Sequence, residues 1–182
     1  MKRSIVLFTI SLIVLVIGFT TSAASNVVRM PYKPNYNTMS PDAKKQIDCL
    51  AQNIYFEAGY EPEKGQIAVA FVTINRVRSG FFEKDICAVV KQKTNGTCQF
   101  SWYCENTTPA SERLTGRAEM VYNGVRSLAA YVYVNHDKME DPSKGALFYH
   151  ADYVNPGWKN MQHLTTIGRH IFYNRKDLKW TS

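Results

Sequence analysis

The sequence predicts a mixed α+β domain in which helices come first and a few short strands follow. Three observations support this. Apolar residues recur at helical spacing between residues 40 and 80, and again after residue 111. Beyond Asp141-Pro142 the pattern changes to short segments rich in aromatic and β-branched residues. Helices followed by short strands are typical of α+β domains rather than of alternating βαβ folds.

The first helix is predicted across "SPDAKKQIDCLAQNIYFEAG". Ser40 is a favourable N-cap, Pro41 suits the first helical position and Gly59 ends the pattern. The apolar positions form a continuous stripe on one face: Ile47, Leu50, Ala51, Ile54, Tyr55 and Ala58.

A second helix is predicted from Pro62 to about Val77, ending before Gly80. Apolar residues cover most of its circumference, so this helix is expected to be central and buried. A short helix is predicted over Asp85 to Lys91.

The segment "TNGTCQFSWYC" combines an Asn95-Gly96 turn with a β-leaning run and predicts a small hairpin or loop. Ser111 is then predicted to cap a helix whose core-facing residues step by three and four: Leu114, Ala118, Val121, Val125, Leu128 and Val132. Short strands are predicted in "GALFYH" and "TTIGRHIFYN", on either side of a loop with Asn155, Pro156, Gly157 and Trp158.

The N-terminus predicts export. Lys2 and Arg3 precede an apolar run from Ile5 to Phe19, and small residues follow up to Ala24. The run is shorter than the roughly 20 residues of a comfortable membrane span, which favours cleavage near Ala24 over an uncleaved anchor on the outer face of the inner membrane. Residues 1–24 are therefore interpreted as a signal peptide, 25–39 as an extended leader and 40–182 as one domain.

Four cysteines behind an export signal predict two disulfides. Four cysteines allow three pairings, and the sequence does not decide among them. We favour Cys87 with Cys98, which closes a short loop before "QFSW", and Cys49 with Cys104. Free buried thiols and a zinc site are the alternatives, although a paired C-x2-C spacing is absent.

The formal charge of +7 favours anionic partners. Outside the cytoplasm these are wall polymers or lipid headgroups before nucleic acid, and contact with a membrane is expected only through the N-terminal segment. No metal or cofactor is expected. The four histidines (His136, His150, His163 and His170) lack the H-E-x-x-H signature, and neither a G-x-S-x-G elbow nor a phosphate-binding G-x-x-x-x-G-K is present.

Glu57 is the candidate catalytic acid. At about 100° per residue it falls on the edge of the buried stripe of the first helix, beside Tyr55 and Phe56. Partial burial and the negative end of the helix dipole both raise the pKa of a carboxyl group towards that of a general acid.

Five segments resemble successive blocks of the bacterial cell-wall hydrolase family of the SleB type, named for spore cortex-lytic enzymes. They are "CLAQNIYFEAGYEPEKGQIAVAFVTINRV", "ICAVV", "CQFSW", "GALFYHADYVNPGW" and "IGRHIFY". The resemblance implies a lysozyme-like fold and cleavage of peptidoglycan glycan strands by a lytic transglycosylase or muramidase. It also implies that Glu57, in "YFEAG", is the catalytic glutamate.

The block around Glu57 departs from the family pattern in one respect. The family commonly reads acid, Ala, Arg, Gly, acid, whereas this chain reads Glu57, Ala58, Gly59, Tyr60, Glu61. The arginine and any ion pair that it supports are missing, but the glutamate is intact.

Further site residues are predicted from the same blocks. Gln99 and Ser101 lie in a loop that a disulfide would hold, where an amide and a hydroxyl reach a sugar at low entropic cost. Tyr149, His150 and Trp158 are candidates to line a cleft, and Glu61 is a weaker candidate for substrate binding. His170 is interpreted as a structural, hydrogen-bonded histidine.

One compelling acid favours a lytic transglycosylase, in which the 6-hydroxyl of muramic acid replaces water and a 1,6-anhydro end is formed. Glycoside hydrolysis by water usually needs two carboxylates. The alternatives are a muramidase with Glu61 or Asp152 as second carboxylate, a zinc amidase, and a wall-binding module without activity. The sequence makes no prediction of oligomeric state, nor does it choose between spore germination, wall remodelling and phage-driven lysis.

Overall fold

The computed structural model describes residues 34–105 and 110–180. The predicted signal peptide and the first part of the predicted leader lie outside these ranges. The described elements are six helices and five short strands, with small 3-10 turns at Tyr36–Thr38 and His136–Lys138. The mixed α+β prediction is confirmed.

Helix α1 (Pro41–Ala58) and helix α2 (Glu63–Ser79) form where their capping residues predict them. Ser40 Oγ accepts a hydrogen bond from the Ala43 N–H at 3.2 Å, and Gly59 caps the C-terminus of α1. Helix α2 begins one position after Pro62 and ends at Gly80, whose φ of 73° suits glycine. Because these signals are local, they were readable from the sequence.

Helix α3 (Ile86–Lys91) is capped by the Asp85 side chain. Strands β1 (Lys93–Thr94) and β2 (Thr97–Cys98) form the small hairpin predicted at Asn95-Gly96, where both turn residues have positive φ. The β-leaning reading of the residues that follow was wrong, because Ser101–Glu105 form a short helix, α4. Its Trp102 Nε1–H donates to Asn53 Oδ1 at 3.1 Å, and such a tertiary contact overrides local strand propensity.

The helix predicted from Ser111 is divided in two. Ser111 lies inside the short α5 (Ala110–Arg113), and the long α6 (Gly116–Asn135) starts only after Thr115. The prediction that Ser111 caps the long helix was therefore wrong. The spacing was right, because Val125 and Val132 are buried and Leu128 packs on the same core.

The main core lies between α1, α2, α3 and α6. Its fully buried side chains include Ile47, Leu50, Ile54, Val89 and Val132. Helix α2 is central, as predicted, because every residue from Ala68 to Arg76 is buried. A charged residue in that run is unusual, and Arg76 belongs to the candidate site.

The C-terminal strands form one antiparallel sheet in the order β3-β5-β4. They are β3 (Phe148–Ala151), β4 (Met161–Ile167) and β5 (His170–Arg175). Tyr149 is the register partner of Phe172, and the Phe172 side chain is fully buried. Register partners on neighbouring strands face the same side of a sheet. Tyr149 therefore lies on the same face as Phe172, which packs against Ala68 and Val72 of α2.

Two disulfides are present, as predicted, but the favoured pairing was wrong. Cys49 pairs with Cys87 across α1 and α3, and Cys98 pairs with Cys104 across the turn into α4. The Cα–Cα distances are 5.2 and 6.0 Å, within the usual range for a disulfide. Packing of α3 on α1 brings together two cysteines that are far apart in the sequence.

The described part of the predicted leader, residues 34–39, contacts the domain. Tyr36 O–H donates to Asp48 Oδ2 at 2.7 Å, and Lys44 Nζ donates to the Asn37 carbonyl at 2.9 Å. Within residues 34–105 and 110–180, none of the helices is long and apolar enough to cross a membrane.

Candidate functional site

A cleft of about 400 Å³ lies between the helices and the sheet, and Glu57 forms part of its wall. We call it the main cleft. Its other lining residues come from α2, from the loop before α4, from β3, from the segment leading into β4 and the start of β4, and from the end of β5: Arg76, Gln99, Phe100, Phe148, Tyr149, Trp158, Lys159, Met161 and Arg175. Segments that are distant in sequence thus meet around one carboxyl group.

The Glu57 carboxyl group accepts a hydrogen bond from Tyr149 O–H, with 3.0 Å between the hydroxyl oxygen and Oε2. Burial raises the pKa of Glu57 above its ordinary value. The hydrogen bond from Tyr149 and the positive charge of Arg76 oppose this effect, but they are weaker than burial. The group is therefore biased towards its protonated form while remaining next to two groups that stabilise the carboxylate.

Arg76 is a site residue that the sequence reasoning missed. It is 5% exposed, and its Nε–H donates to the Leu147 carbonyl at 2.8 Å. Its guanidinium lies 5.0 Å from the ring centres of both Phe82 and Phe100. Burial lowers the pKa of Arg76, whereas Tyr149 and Glu57 raise it. A guanidinium stays charged in proteins, so this is a fixed buried cation beside the acid.

One signal for Arg76 was available in the sequence: it is a basic residue inside an otherwise apolar and buried helical pattern. A buried cation is costly unless neighbouring groups compensate for it. The carbonyl and the aromatic rings that compensate for Arg76 come from segments that only the fold brings together.

Tyr149 packs against His170, whose ring centre lies 5.3 Å from that of Tyr149 in an edge-to-face arrangement. Burial and the nearby Glu57 carboxylate raise the pKa of Tyr149 well above its ordinary value. Tyr149 therefore remains a protonated phenol that donates a hydrogen bond. Tyr149 lines the main cleft, and its predicted role in substrate binding stays a prediction.

A second cavity of about 370 Å³ also includes Glu57. We call it the side cavity. Its lining is the end of α1 and the turn that follows: Tyr55, Phe56, Glu57, Ala58, Gly59, Tyr60 and Glu61. Glu57 is thus common to the walls of two cavities, an arrangement suited to a bond that lies between two bound groups.

Glu61 lines the side cavity, but its carboxylate is engaged with the turn between β4 and β5. Glu61 Oε2 accepts a hydrogen bond from the Arg169 N–H at 3.1 Å. The neighbouring Gly168 has φ of 55°, and any side chain there would collide with Glu61 Oε2. Glu61 therefore anchors this turn to the end of α1.

The remaining predicted residues are not all brought to the main cleft. Gln99 and Trp158 line it, and Gln99 Nε2 donates to Thr94 Oγ1 at 3.0 Å. Ser101 is exposed at the start of α4 and is not in its lining. His150 also lies outside the lining, because its ring stacks on Tyr173 with 5.2 Å between centres and its Nδ1–H donates to the Ala151 carbonyl.

Among residues 34–105 and 110–180, no group of three or more His, Cys, Asp or Glu side chains is placed to hold a metal ion.

The cell wall hydrolase family model matches residues 60–173. The matched range begins just after Glu57, so the role of that residue depends on the geometry described above. The chain is similar to the spore cortex-lytic enzyme of Halalkalibacterium halodurans, with 31% identity over 70% of the chain and 34% of the relative. The Bacillus subtilis spore cortex-lytic enzyme is 28% identical over 71% of the chain and 38% of the relative. The chain thus spans less than half the length of these curated relatives.

Two solved structures are also similar. The catalytic domain of the germination-specific lytic transglycosylase SleB from Bacillus anthracis gives a TM-score of 0.55 at 26% identity, over 76% of this chain and 98% of that one. The catalytic domain of the Bacillus cereus SleB protein gives a TM-score of 0.53 at 26% identity, over 72% and 91% of the two chains. The predicted lysozyme-like fold of the SleB type is confirmed.

Proposed function

Because the chain belongs to the cell wall hydrolase family, we propose that it cleaves the glycan strands of peptidoglycan as a lytic transglycosylase, with Glu57 as both acid and base. The observation that supports this most is the placement of Glu57. Among the described residues it is the only carboxylate in the wall of the main cleft, and burial raises its pKa. A mechanism that needs one carboxyl group fits such a cleft better than one that needs two.

In the first step, protonated Glu57 gives its proton to the glycosidic oxygen that leaves muramic acid C1. Burial raises the pKa of Glu57 and so favours the protonated form that this step needs. The carboxylate that forms is stabilised by the hydrogen bond from Tyr149 and by the charge of Arg76. Both groups interact more strongly with the ionised acid, so they lower the barrier to proton transfer.

In the second step, the Glu57 carboxylate takes the proton of the muramic acid 6-hydroxyl while its oxygen attacks C1. The C1–O6 bond closes a 1,6-anhydro ring, and Glu57 is again protonated. The nucleophile belongs to the same sugar, and intramolecular attack of this kind reaches effective molarities of about 10⁵ M or more. The residue returns to its starting state without water entering the reaction.

We assign the remaining residues according to their positions. Gln99 and Trp158 line the main cleft and contact the sugar, with Trp158 offering an exposed ring. His150 and Ser101 support the surrounding strand and loop from outside the cleft, while Glu61 anchors the β4–β5 turn. Two disulfides suit action outside the cytoplasm, on the cell wall.

A muramidase reaction with activated water is the second candidate, because Glu61 lines the side cavity together with Glu57. Against the muramidase, the carboxylates of Glu61 and Asp152 both interact with Arg169. Glu61 accepts from the Arg169 N–H, and Asp152 Oδ1 lies 3.4 Å from Arg169 Nε. A carboxylate held in this way is poorly placed to activate water.

Mass spectrometry of fragments released from purified peptidoglycan tests the proposal. We expect 1,6-anhydromuramic acid ends, which are lighter by one water than hydrolysed ends and resist borohydride reduction. Glu57→Gln is expected to release none of these fragments, whereas the matched exchange Glu83→Gln, at an exposed residue outside both cavities, retains the wild-type rate.

Other products would contradict the proposal in different ways. Reducible ends that carry oxygen from labelled water would favour the muramidase. Intact glycan with free peptide stems would favour an amidase, and a chelator would then abolish the activity. Sedimentation with insoluble peptidoglycan without any release would indicate a wall-binding module.

A further inference from the structure

Tyr60, in the side cavity, has an exposed ring that the proposed reaction does not yet use. We propose that Tyr60 is a stacking platform for the N-acetylglucosamine ring on the leaving-group side of the bond that is cleaved. This inference rests on the proposed function, because it places the leaving sugar of that reaction. It assigns a ligand to the side cavity and an orientation to the bound glycan strand.

The backbone on both sides of Tyr60 is fixed. Gln66 Nε2 donates to the Gly59 carbonyl at 3.2 Å and to the Glu61 carbonyl at 3.1 Å, so one amide group spans Tyr60. The Glu61 N–H also donates to the Ala58 carbonyl at 2.9 Å. An aromatic ring on a fixed backbone contacts a ligand at a small loss of conformational entropy.

The Tyr60 ring is 73% exposed although its backbone is held firmly. An aromatic ring in the wall of a cavity is a candidate for ligand contact. A pyranose ring has an apolar C–H face and polar edges, which match the face of tyrosine and the water around it. The side cavity, at about 370 Å³, is large enough for one sugar ring.

The position next to Glu57 defines which sugar can bind. Glu57 lines both cavities. A glycan strand that passes Glu57 therefore places one sugar in the main cleft and the next sugar beside Tyr60. The bond between these two sugars lies at the acid. One cavity therefore receives the sugar that supplies C1, and the other receives the sugar that leaves.

The charges of the two cavities indicate which of them receives muramic acid and which receives N-acetylglucosamine. The main cleft is lined by two basic residues, Arg76 and Lys159, and by Arg175, whose charge is paired with Asp177. Glu57 is its only acid among the described residues. The described lining of the side cavity contains the acids Glu57 and Glu61 and no basic residue. The Arg113 guanidinium packs on the ring of Phe56, 5.2 Å from its centre, and is not part of that lining. Muramic acid carries an acidic lactyl group or peptide stem and suits the cationic main cleft, whereas neutral N-acetylglucosamine suits the side cavity.

The chain offers a matched control. Tyr153 is also 73% exposed, but it lies outside both cavities and packs near the Arg169 guanidinium at 4.9 Å. Tyr60→Ala is expected to lower kcat/KM on stem-free glycan strands about tenfold, as for a well-placed aromatic contact, and mostly through KM. Tyr153→Ala is expected to remain within about twofold of wild type.

Binding is measured separately from cleavage with the Glu57→Gln variant, which keeps Tyr60 intact and needs no further substitution. Hydroxyl-radical footprinting with mass spectrometry, with and without stem-free glycan strands, is expected to show protection of Tyr60 and none of Tyr153. Wild-type kinetics of Tyr60→Ala together with an unprotected Tyr60 would overturn the inference. If Tyr60→Ala does not fold, the footprint alone decides.

The two proposals fail in distinguishable ways. Anhydro products without protection of Tyr60 would leave the proposed function standing and refute the platform. Protection of Tyr60 by glycan in a protein that releases no fragments would refute the lytic reaction but support the platform. Protection by acidic stem-bearing muramyl fragments in preference to N-acetylglucosamine oligomers would refute the assigned orientation of the strand.

Discussion

Replacing Tyr149 by phenylalanine removes a single hydroxyl group, the donor to Glu57 Oε2. A hydrogen bond to a charged group contributes about 1.5–3 kcal/mol, and one to a neutral group about 0.5–1.5 kcal/mol. In the proposed reaction Glu57 is protonated before proton transfer and ionised after it. Only the difference between the two hydrogen-bond strengths, about 1–1.5 kcal/mol, therefore acts on the barrier. At about 1.4 kcal/mol per factor of ten, kcat should fall about 5- to 15-fold.

The pH profile provides a second and independent readout. The hydrogen bond from Tyr149 lowers the pKa of Glu57, so its removal raises that pKa further. The reaction starts from the protonated acid, and activity is lost as the pH rises through the pKa of Glu57. In Tyr149→Phe this loss should therefore occur at a higher pH than in the wild type.

The assay is the rate of fragment release from purified peptidoglycan between about pH 4 and pH 9, with product ends identified by mass spectrometry. Tyr173→Phe is the matched control, because its hydroxyl contacts His150 at 3.3 Å and does not reach Glu57. An unchanged rate and profile in Tyr149→Phe would refute the role of this hydrogen bond. A lower rate with an unshifted profile would reduce Tyr149 to a packing residue.

Three further outcomes are expected. Glu57→Gln should match the wild type in thermal stability below about pH 4 and exceed it as the pH rises. The reason is that the pKa of Glu57 is raised in the folded protein, so the wild type loses stability as Glu57 ionises. Equal melting temperatures at all pH values would contradict this. Ser101→Ala should change the rate by less than about twofold, since Ser101 is exposed outside the main cleft, and a tenfold loss would restore it to the site. Replacing both Cys98 and Cys104 by serine, which opens a six-residue separation, should cost about 2–3 kcal/mol in urea unfolding, and free thiols in the oxidised wild type would contradict the pairing.

The parts of the fold that depend on neighbouring residues were predictable. The Ser40 cap, the Gly59 and Gly80 stops and the Asn95-Gly96 turn each operate within a few residues, and the sequence locates them to within a position or two. The position of Glu57 on the edge of a buried stripe follows from the same periodicity. Its partial burial was therefore predictable, while its partners were not.

The features that could not be predicted from the sequence depend on contacts between distant segments. Residues 101–105 have β-leaning character, yet Trp102 forms a hydrogen bond with Asn53 and its ring stacks on Phe56 at 4.7 Å, which favours a helix. The cysteine pairing depends on how α3 packs against α1. Arg76 needs the Leu147 carbonyl, far away in the sequence, before its burial becomes tolerable.

In the proposed reaction one carboxyl group acts as both acid and base, and the position of Arg76 is compatible with both roles. An ion pair in direct contact would keep Glu57 ionised and unable to give a proton, while burial without any cation would leave the carboxylate too unstable to form. Here the guanidinium is bound to Leu147 and packed between the Phe82 and Phe100 rings, so it acts on Glu57 through its charge from a fixed position. Burial remains the larger influence on the pKa of Glu57 and raises it, which favours the protonated form with which the proposed reaction begins. Since neither Arg76 nor Tyr149 has to move when the proton leaves, the site is preorganised for the ionised state, and the same carboxylate is then available to accept the proton of the sugar hydroxyl.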